Sequence, residues 1–222
     1  MDRRDFLFTA GAALLAGPAL AEGLPVPPGN AVGFKVFHNG GQIGEHHLNF
    51  TQNGDALVID IAMQASGRID EVFPFTYQAA ITERWLGGVF QSVDSKVNFN
   101  GNLLHVHAHK VAGGYDVTSS NRDHPEKCWP EYTAPANTLP LTYWNKAMLD
   151  GTVLNIQTGH SYPVTVTSPG WENLPTANGG KLLAQRFDVT GKLHLSVWYD
   201  HTDQWAGLDL PLYGHLTYEK IV

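Results

Sequence analysis

Three histidines stand two apart in His105-Val106-His107-Ala108-His109. On a β-strand, residues two apart share a face, so these imidazoles point the same way. An i, i+2 pair of imidazoles can chelate one divalent ion, and a neighbouring carboxylate can complete or orient the site. Imidazole donors favour Zn, Cu or Ni. The dipeptide Asn100-Gly101 suits a two-residue hairpin turn, which pairs Phe99 with Asn102. His105 then faces Lys96, His107 faces Asp94 and His109 faces Ser92. His105, His107, His109 and Asp94 are therefore the candidate metal ligands. Lys96 opposes a cation beside His105, and three ligands on one strand cannot all reach one ion. A further ligand has to come from another strand, with His47 the candidate. The alternative is a solvent-facing polar strand that happens to use histidine.

The aromatic residues are the second set with functional potential. Trp85, Tyr143, Trp144, Trp198 and Trp205 are the candidate ligand-binding residues, able to line an apolar or sugar-binding cavity. Their competing role is core packing, which aromatics dominate in β proteins. His124-Pro125-Glu126-Lys127-Cys128 brings a thiol near a histidine in sequence, but nucleophilic catalysis needs spatial alignment that this spacing does not establish. Cys128 is the only cysteine, so it has no intramolecular disulfide partner and reads as a small buried hydrophobe. The sequence contains no serine elbow, metalloprotease helix, phosphate loop or dinucleotide fingerprint. No catalytic residue is assigned, and a binding role is favoured over catalysis.

The elements that must position these residues are mostly strands. Period-two alternation predicts strands over 32–38, 43–50, 56–63, 74–85, 89–99, 103–111, 115–118, 153–157, 162–167, 182–189, 192–199, 205–210 and 213–221. Val93, Val97, Leu104 and Val106 fall on the apolar face of the histidine hairpin. Prolines interrupt 119–138, which reads as a lid or an edge cover, and 168–180 reads as another loop. Pro140 near the start and Gly151 past the end suggest one short helix over 139–149. The expected fold is all-β: an antiparallel closed or nearly closed barrel, lipocalin-like or built of two packed sheets, with that one helix. A barrel of this strand count has room for a ligand inside.

The first residues concern address rather than fold. Arg3-Arg4, one spacer and Phe6-Leu7 match a twin-arginine export signal. A short apolar stretch follows, and Ala19-Leu20-Ala21 offers small-x-small cleavage after Ala21. Residues 1–21 thus read as a signal peptide, 22–30 as a flexible leader and 31–222 as a single domain in the periplasm. The apolar run is short of the ~20 residues of a spanning helix, so no membrane span is expected in the mature chain. The formal charge of −7 argues against nucleic acid as a partner.

Several segments resemble a family of exported proteobacterial proteins defined as a domain of unknown function. They are Thr82-Glu83-Arg84-Trp85, Val93-Asp94-Ser95, Leu139-Pro140-Leu141-Thr142-Tyr143-Trp144-Asn145, Leu154-Asn155-Ile156-Gln157-Thr158-Gly159, Trp198-Tyr199-Asp200 and Trp205-Ala206-Gly207-Leu208. The resemblance implies a periplasmic β fold akin to lipocalin-like barrels and brings no activity. The histidine strand is not part of the family pattern. Together these readings predict a non-catalytic periplasmic protein binding a small apolar or amphipathic ligand. The first alternative is a transition-metal-binding protein using the histidine strand. The second is an enzyme of unrecognised type.

Overall fold

Asn100 and Gly101 both take positive φ, 51° and 87°. That is the backbone a two-residue hairpin turn requires, because its twist matches that of the strands it joins. β5 (Val89–Phe99) and β6 (Asn102–Val111) accordingly pair with Phe99 opposite Asn102, Asp94 opposite His107 and Lys96 opposite His105. The predicted register holds along the whole hairpin. Asn39 and Gly40, also at positive φ, turn β1 (Ala31–His38) into β2 (Gly41–Asn53) in the same way. The computed structural model describes residues 23–69, 73–211 and 214–222, so the expected export signal lies outside the described residues.

The meander continues through β3 (Ala56–Ile69), β4 (Phe73–Leu86), β5, β6, β7 (Gly114–Asn121) and the short β8 (Tyr132–Pro135). Three short strands follow: β9 (Thr138–Pro140), β10 (Thr152–Leu154) and β11 (Ser161–Pro163). The last five are β12 (Thr165–Pro175), β13 (Lys181–Thr190), β14 (Leu195–Tyr199), β15 (Trp205–Leu210) and β16 (Leu216–Ile221). Thirteen strands form one sheet in the order β12-β13-β14-β15-β16-β1-β2-β3-β4-β5-β6-β7-β8. β11, β10 and β9 form a second sheet, in which β9 and β10 run parallel.

The large sheet is open. β12 and β8 stand at its two ends and do not pair with each other, so the expected closed or nearly closed barrel is incorrect. The edges themselves give the reason. β8 has only four residues and ends at Pro135, while β12 carries Pro169 and Pro175 and shifts register between Thr167 and Gly170. Proline supplies no N–H to a ladder, so neither edge offers a long continuous row of donors for closure. The expected helix is also incorrect. Residues 138–140 are strand, and only a five-residue 3-10 turn, Lys146–Asp150, forms in that stretch. Tyr143 at φ 69° breaks any helix before it starts, and the Asn145 side chain accepts from the Ala147 N–H to begin the turn two residues later. The two expected loops are partly strand, since β7 runs on to Asn121 and β12 to Pro175.

One apolar face of the large sheet carries the core. Val93, Val97, Val106 and Ala108 are buried, as the predicted faces require, and Leu104 packs against them. Phe34, Leu48, Ile59, Ile81, Val197 and Leu208 extend the same cluster across the sheet. Leu141, Trp144, Val153 and Leu154 join it from 141–154, which covers part of this face. Leu24 and Val26, in the segment expected to be a leader, also pack on it. Among the described residues no helix is long and apolar enough to cross a membrane.

Candidate functional site

The covering segment leaves a pocket of about 470 Å³ between itself and the large sheet. That lies within the roughly 300–1,000 Å³ typical of small-molecule sites. Ile61, Ala79 and Ile81 of β3 and β4 form its apolar wall, with Leu141 and Ile156 facing them from the cover. Polar atoms are few. Tyr77 accepts a hydrogen bond from Gln157 Nε2 at 3.0 Å, and the Tyr218 hydroxyl donates to Met63 Sδ at 3.4 Å. Burial raises the Tyr77, Tyr143 and Tyr218 phenols above the usual range, so all three stay neutral.

His46 is part of this pocket's wall and is only 6% exposed. Its ring meets Trp205 edge-on at 5.4 Å and Tyr218 at 5.7 Å. Neither ring nitrogen has a hydrogen-bond partner among the described residues. Burial, with a smaller contribution from His47, pushes its pKa down to about 3. At neutral pH it is therefore an uncharged imidazole, one nitrogen a donor and the other an acceptor.

A buried carboxylate holds the cover in place. Glu83, on β4, is fully buried and accepts from Thr142 Oγ1 at 2.5 Å, Trp85 Nε1 at 2.9 Å and Trp144 Nε1 at 3.0 Å. Burial raises its pKa, and the three donated hydrogen bonds only partly offset that rise. Tyr199 adds a second tie, donating its hydroxyl to the Tyr143 carbonyl at 2.8 Å. Thr142 and Tyr143 line the pocket, so these ties set one of its walls.

The five aromatic residues expected at a binding site fall in different places. Tyr143 lines the pocket. Trp85 and Trp144 donate to Glu83 and stack edge-on at 5.4 Å behind it. Trp205 is buried against Phe34, Tyr143 and Tyr218 and donates to the Gly207 carbonyl, so it backs the wall rather than forming it. Trp198 belongs to a separate small cluster with Ala184 and Ala206. It lines a smaller pocket of about 160 Å³. Arg186 stacks over its ring, and its indole donates to Glu172.

The histidine strand lies on the opposite, solvent-facing side of its hairpin. His105 Nε2 is 3.0 Å and His107 Nδ1 3.5 Å from the same oxygen of Asp94, with Lys96 Nζ 3.6 Å from the other. Partial burial alone raises the Asp94 pKa, but the His105 hydrogen bond and the neighbouring positive charges outweigh it and hold the carboxyl low. His109 stacks on His107 at 5.6 Å and is not among the Asp94 partners. His47 pairs with Ala62, Ala62 with Ala80, Ala80 with Lys96 and Lys96 with His105. Four strand spacings of about 4.8 Å therefore separate His47 from the histidine strand, too far for a shared ion. Instead it approaches Glu45 at 2.9 Å. Among the described residues no group of three or more His, Cys, Asp or Glu is placed to hold a metal ion. Cys128 is a half-buried free thiol, and His124 turns to Glu126 at 3.3 Å.

Sequence reasoning missed His46 and Glu83, although a signal for each was present. His46 shares its face with Leu48 and Phe50, and Glu83 shares its face with Ile81 and Trp85. A polar residue on an apolar face is the informative exception.

The fold resembles the crystal structure of a β-barrel-like protein of the domain of unknown function DUF1849 from Brucella abortus. The TM-score is 0.58 at 8% identity, over 86% of this chain and 94% of that one. At that identity the likeness concerns the fold alone. Among curated proteins none matches the sequence. A family model matches residues 34–219, from the first buried residue of β1 into β16 and so across the sheet, the cover and the pocket between them. The chain belongs to the family described as domain of unknown function DUF6134.

Proposed function

We propose that this is an exported, non-catalytic protein that takes a small apolar or amphipathic ligand into the pocket between the large sheet and segment 141–157. The single observation that carries the reading is the pocket itself, about 470 Å³ and walled mainly by aliphatic and aromatic side chains. A water-filled volume of that kind is costly, and an apolar guest would release the water. Native mass spectrometry on protein from the exporting host tests this. A bound small molecule is expected on the wild type and should be lost in Ala79→Trp, which places an indole where the pocket wall now carries a methyl group. The melt of the variant reports whether it folds. A wild type that carries no ligand and takes up no apolar probe refutes the reading.

A second reading keeps the histidine strand as a transition-metal site. It is favoured by the approach of His105 and His107 to one oxygen of Asp94, at 3.0 and 3.5 Å. Two ligands of a tetrahedral zinc ion stand roughly 3.4 Å apart, from Zn–N and Zn–O bonds of about 2.1 Å. Lys96 would have to turn away. A thermal melt with Zn, Cu, Ni and Ca tests it: the first three should raise the midpoint, and His107→Ala should abolish the gain. A melt indifferent to all four leaves the histidines as a polar face.

A further inference from the structure

The polar and charged groups around the pocket say more about its guest than its volume does. The described residues that line it include no Asp, Glu, Lys or Arg. The nearby carboxylate, Glu83, is used up by Thr142, Trp85 and Trp144. The phenols Tyr77, Tyr143 and Tyr218 stay protonated. Two of the three lining histidines lie towards the strand ends: His38 closes β1, and His194 is exposed just before β14. The third, His46, is buried in the wall with both nitrogens unpartnered among the described residues.

We propose that the pocket selects uncharged ligands, an apolar body bearing a hydroxyl or carbonyl group that hydrogen-bonds to His46, over carboxylates, amines and phosphate esters. This rests on the pocket being a ligand site. Among the described residues a charged headgroup inside this wall meets no opposite charge, and an unpaired ion taken out of water is strongly disfavoured. A hydroxyl both donates and accepts, as a neutral imidazole does, so one small group can pair with either nitrogen. A purely aliphatic guest fills the volume but leaves His46 unpaired, which retains the cost of a buried unsatisfied group. The order of preference is therefore alcohol above alkane, and alkane above carboxylate or ammonium of the same chain length.

The test is displacement of the uncharged fluorophore N-phenyl-1-naphthylamine from protein stripped of bound lipid. The competitors are decanol and decane below their aqueous solubilities, and decanoate and decylammonium below their micellar concentrations, at pH 8. Decanol should displace the probe at a concentration at least about tenfold below that of either ion. In His46→Phe, probe binding should persist while the advantage of decanol over decane shrinks by about three- to tenfold, the worth of one hydrogen bond. Decanoate or decylammonium matching decanol would overturn the charge selection and leave the pocket reading standing. An unchanged decanol advantage in His46→Phe would overturn the role of His46. A wild type that never binds the fluorophore removes the pocket reading and this inference with it.

Discussion

Glu83→Ala and Glu83→Gln separate two roles of the buried carboxylate. Alanine leaves the indole N–H groups of Trp85 and Trp144 and the hydroxyl of Thr142 without their acceptor. Each buried unsatisfied group costs roughly 1–3 kcal/mol, and the Thr142 hydroxyl can relax towards the Pro140 carbonyl at 3.5 Å. Two stranded indoles and a small void give an expected loss of about 3–5 kcal/mol. Glutamine behaves differently. Its carbonyl can accept from both indoles, which share the single oxygen Oε2, and its amide can donate to Thr142 Oγ1 in place of the reversed bond. It also removes a charge that burial disfavours, so its cost should stay below about 1 kcal/mol. The sign with pH follows from the raised pKa of Glu83. Between the unfolded value and the raised folded one the native state holds the extra proton, so stability falls as pH rises from about 4.5 through that window. The wild type minus Glu83→Gln difference isolates that slope. Urea unfolding of the three proteins at several pH values between 4.5 and 8 is the measurement. Equal losses from alanine and glutamine would refute the acceptor argument. A difference that rises with pH would refute the raised pKa.

Other perturbations address the faces, the buried imidazole and the address signal. Val106→Asp puts an unpaired charge into the core and should cost several kcal/mol in urea unfolding, whereas His107→Ala on the other face should change stability by no more than about 0.5 kcal/mol; similar losses from both would mean that the faces are reversed. His46, with its pKa lowered to about 3, is neutral in the fold while the unfolded imidazole protonates near 6.5. Stability should therefore fall as pH drops from about 6.5 towards 3, and His46→Phe should flatten that limb. An acid melt curve unchanged by the substitution would show that His46 is not held neutral. Replacing Arg3 and Arg4 with lysine should stop delivery to the periplasm, as read by fractionation, and normal delivery would point to a different route.

The legible parts of this fold were local. Asn100-Gly101 specified one turn geometry, and from it every pairing between β5 and β6 followed, including Asp94 opposite His107. Alternation then placed Val93, Val97 and Val106 inside. Closure was not legible, because alternation reads the same in an open sheet and a closed one, and only the meeting or separation of β8 and β12 decides between them. The stretch after Pro140 failed for another reason. Its helical signals were real, but Glu83 fixes Thr142 and Trp144, and the backbone between them turns to positive φ at Tyr143. A tertiary tie of that kind overrides local propensity. At the site, residue type reported burial but not orientation. A tryptophan can face a void, a carboxylate or a neighbouring ring, and the sequence does not distinguish Trp144 from Tyr143.

Among the described residues an open sheet of thirteen strands has two rims without a paired neighbour in that sheet, and such a rim is a template on which another chain can add a strand. Here the rims are poor templates. At one end the strand is four residues long and stops at Pro135. At the other, Pro169 and Pro175 punctuate the strand, a break in register lies beside the first, and Glu172 stands between them. By that reasoning the rims should resist adding a strand from another copy of the chain. Replacing Pro169 and Pro175 by threonine would restore donors along the rim and is the change most apt to convert a dispersed protein into fibres.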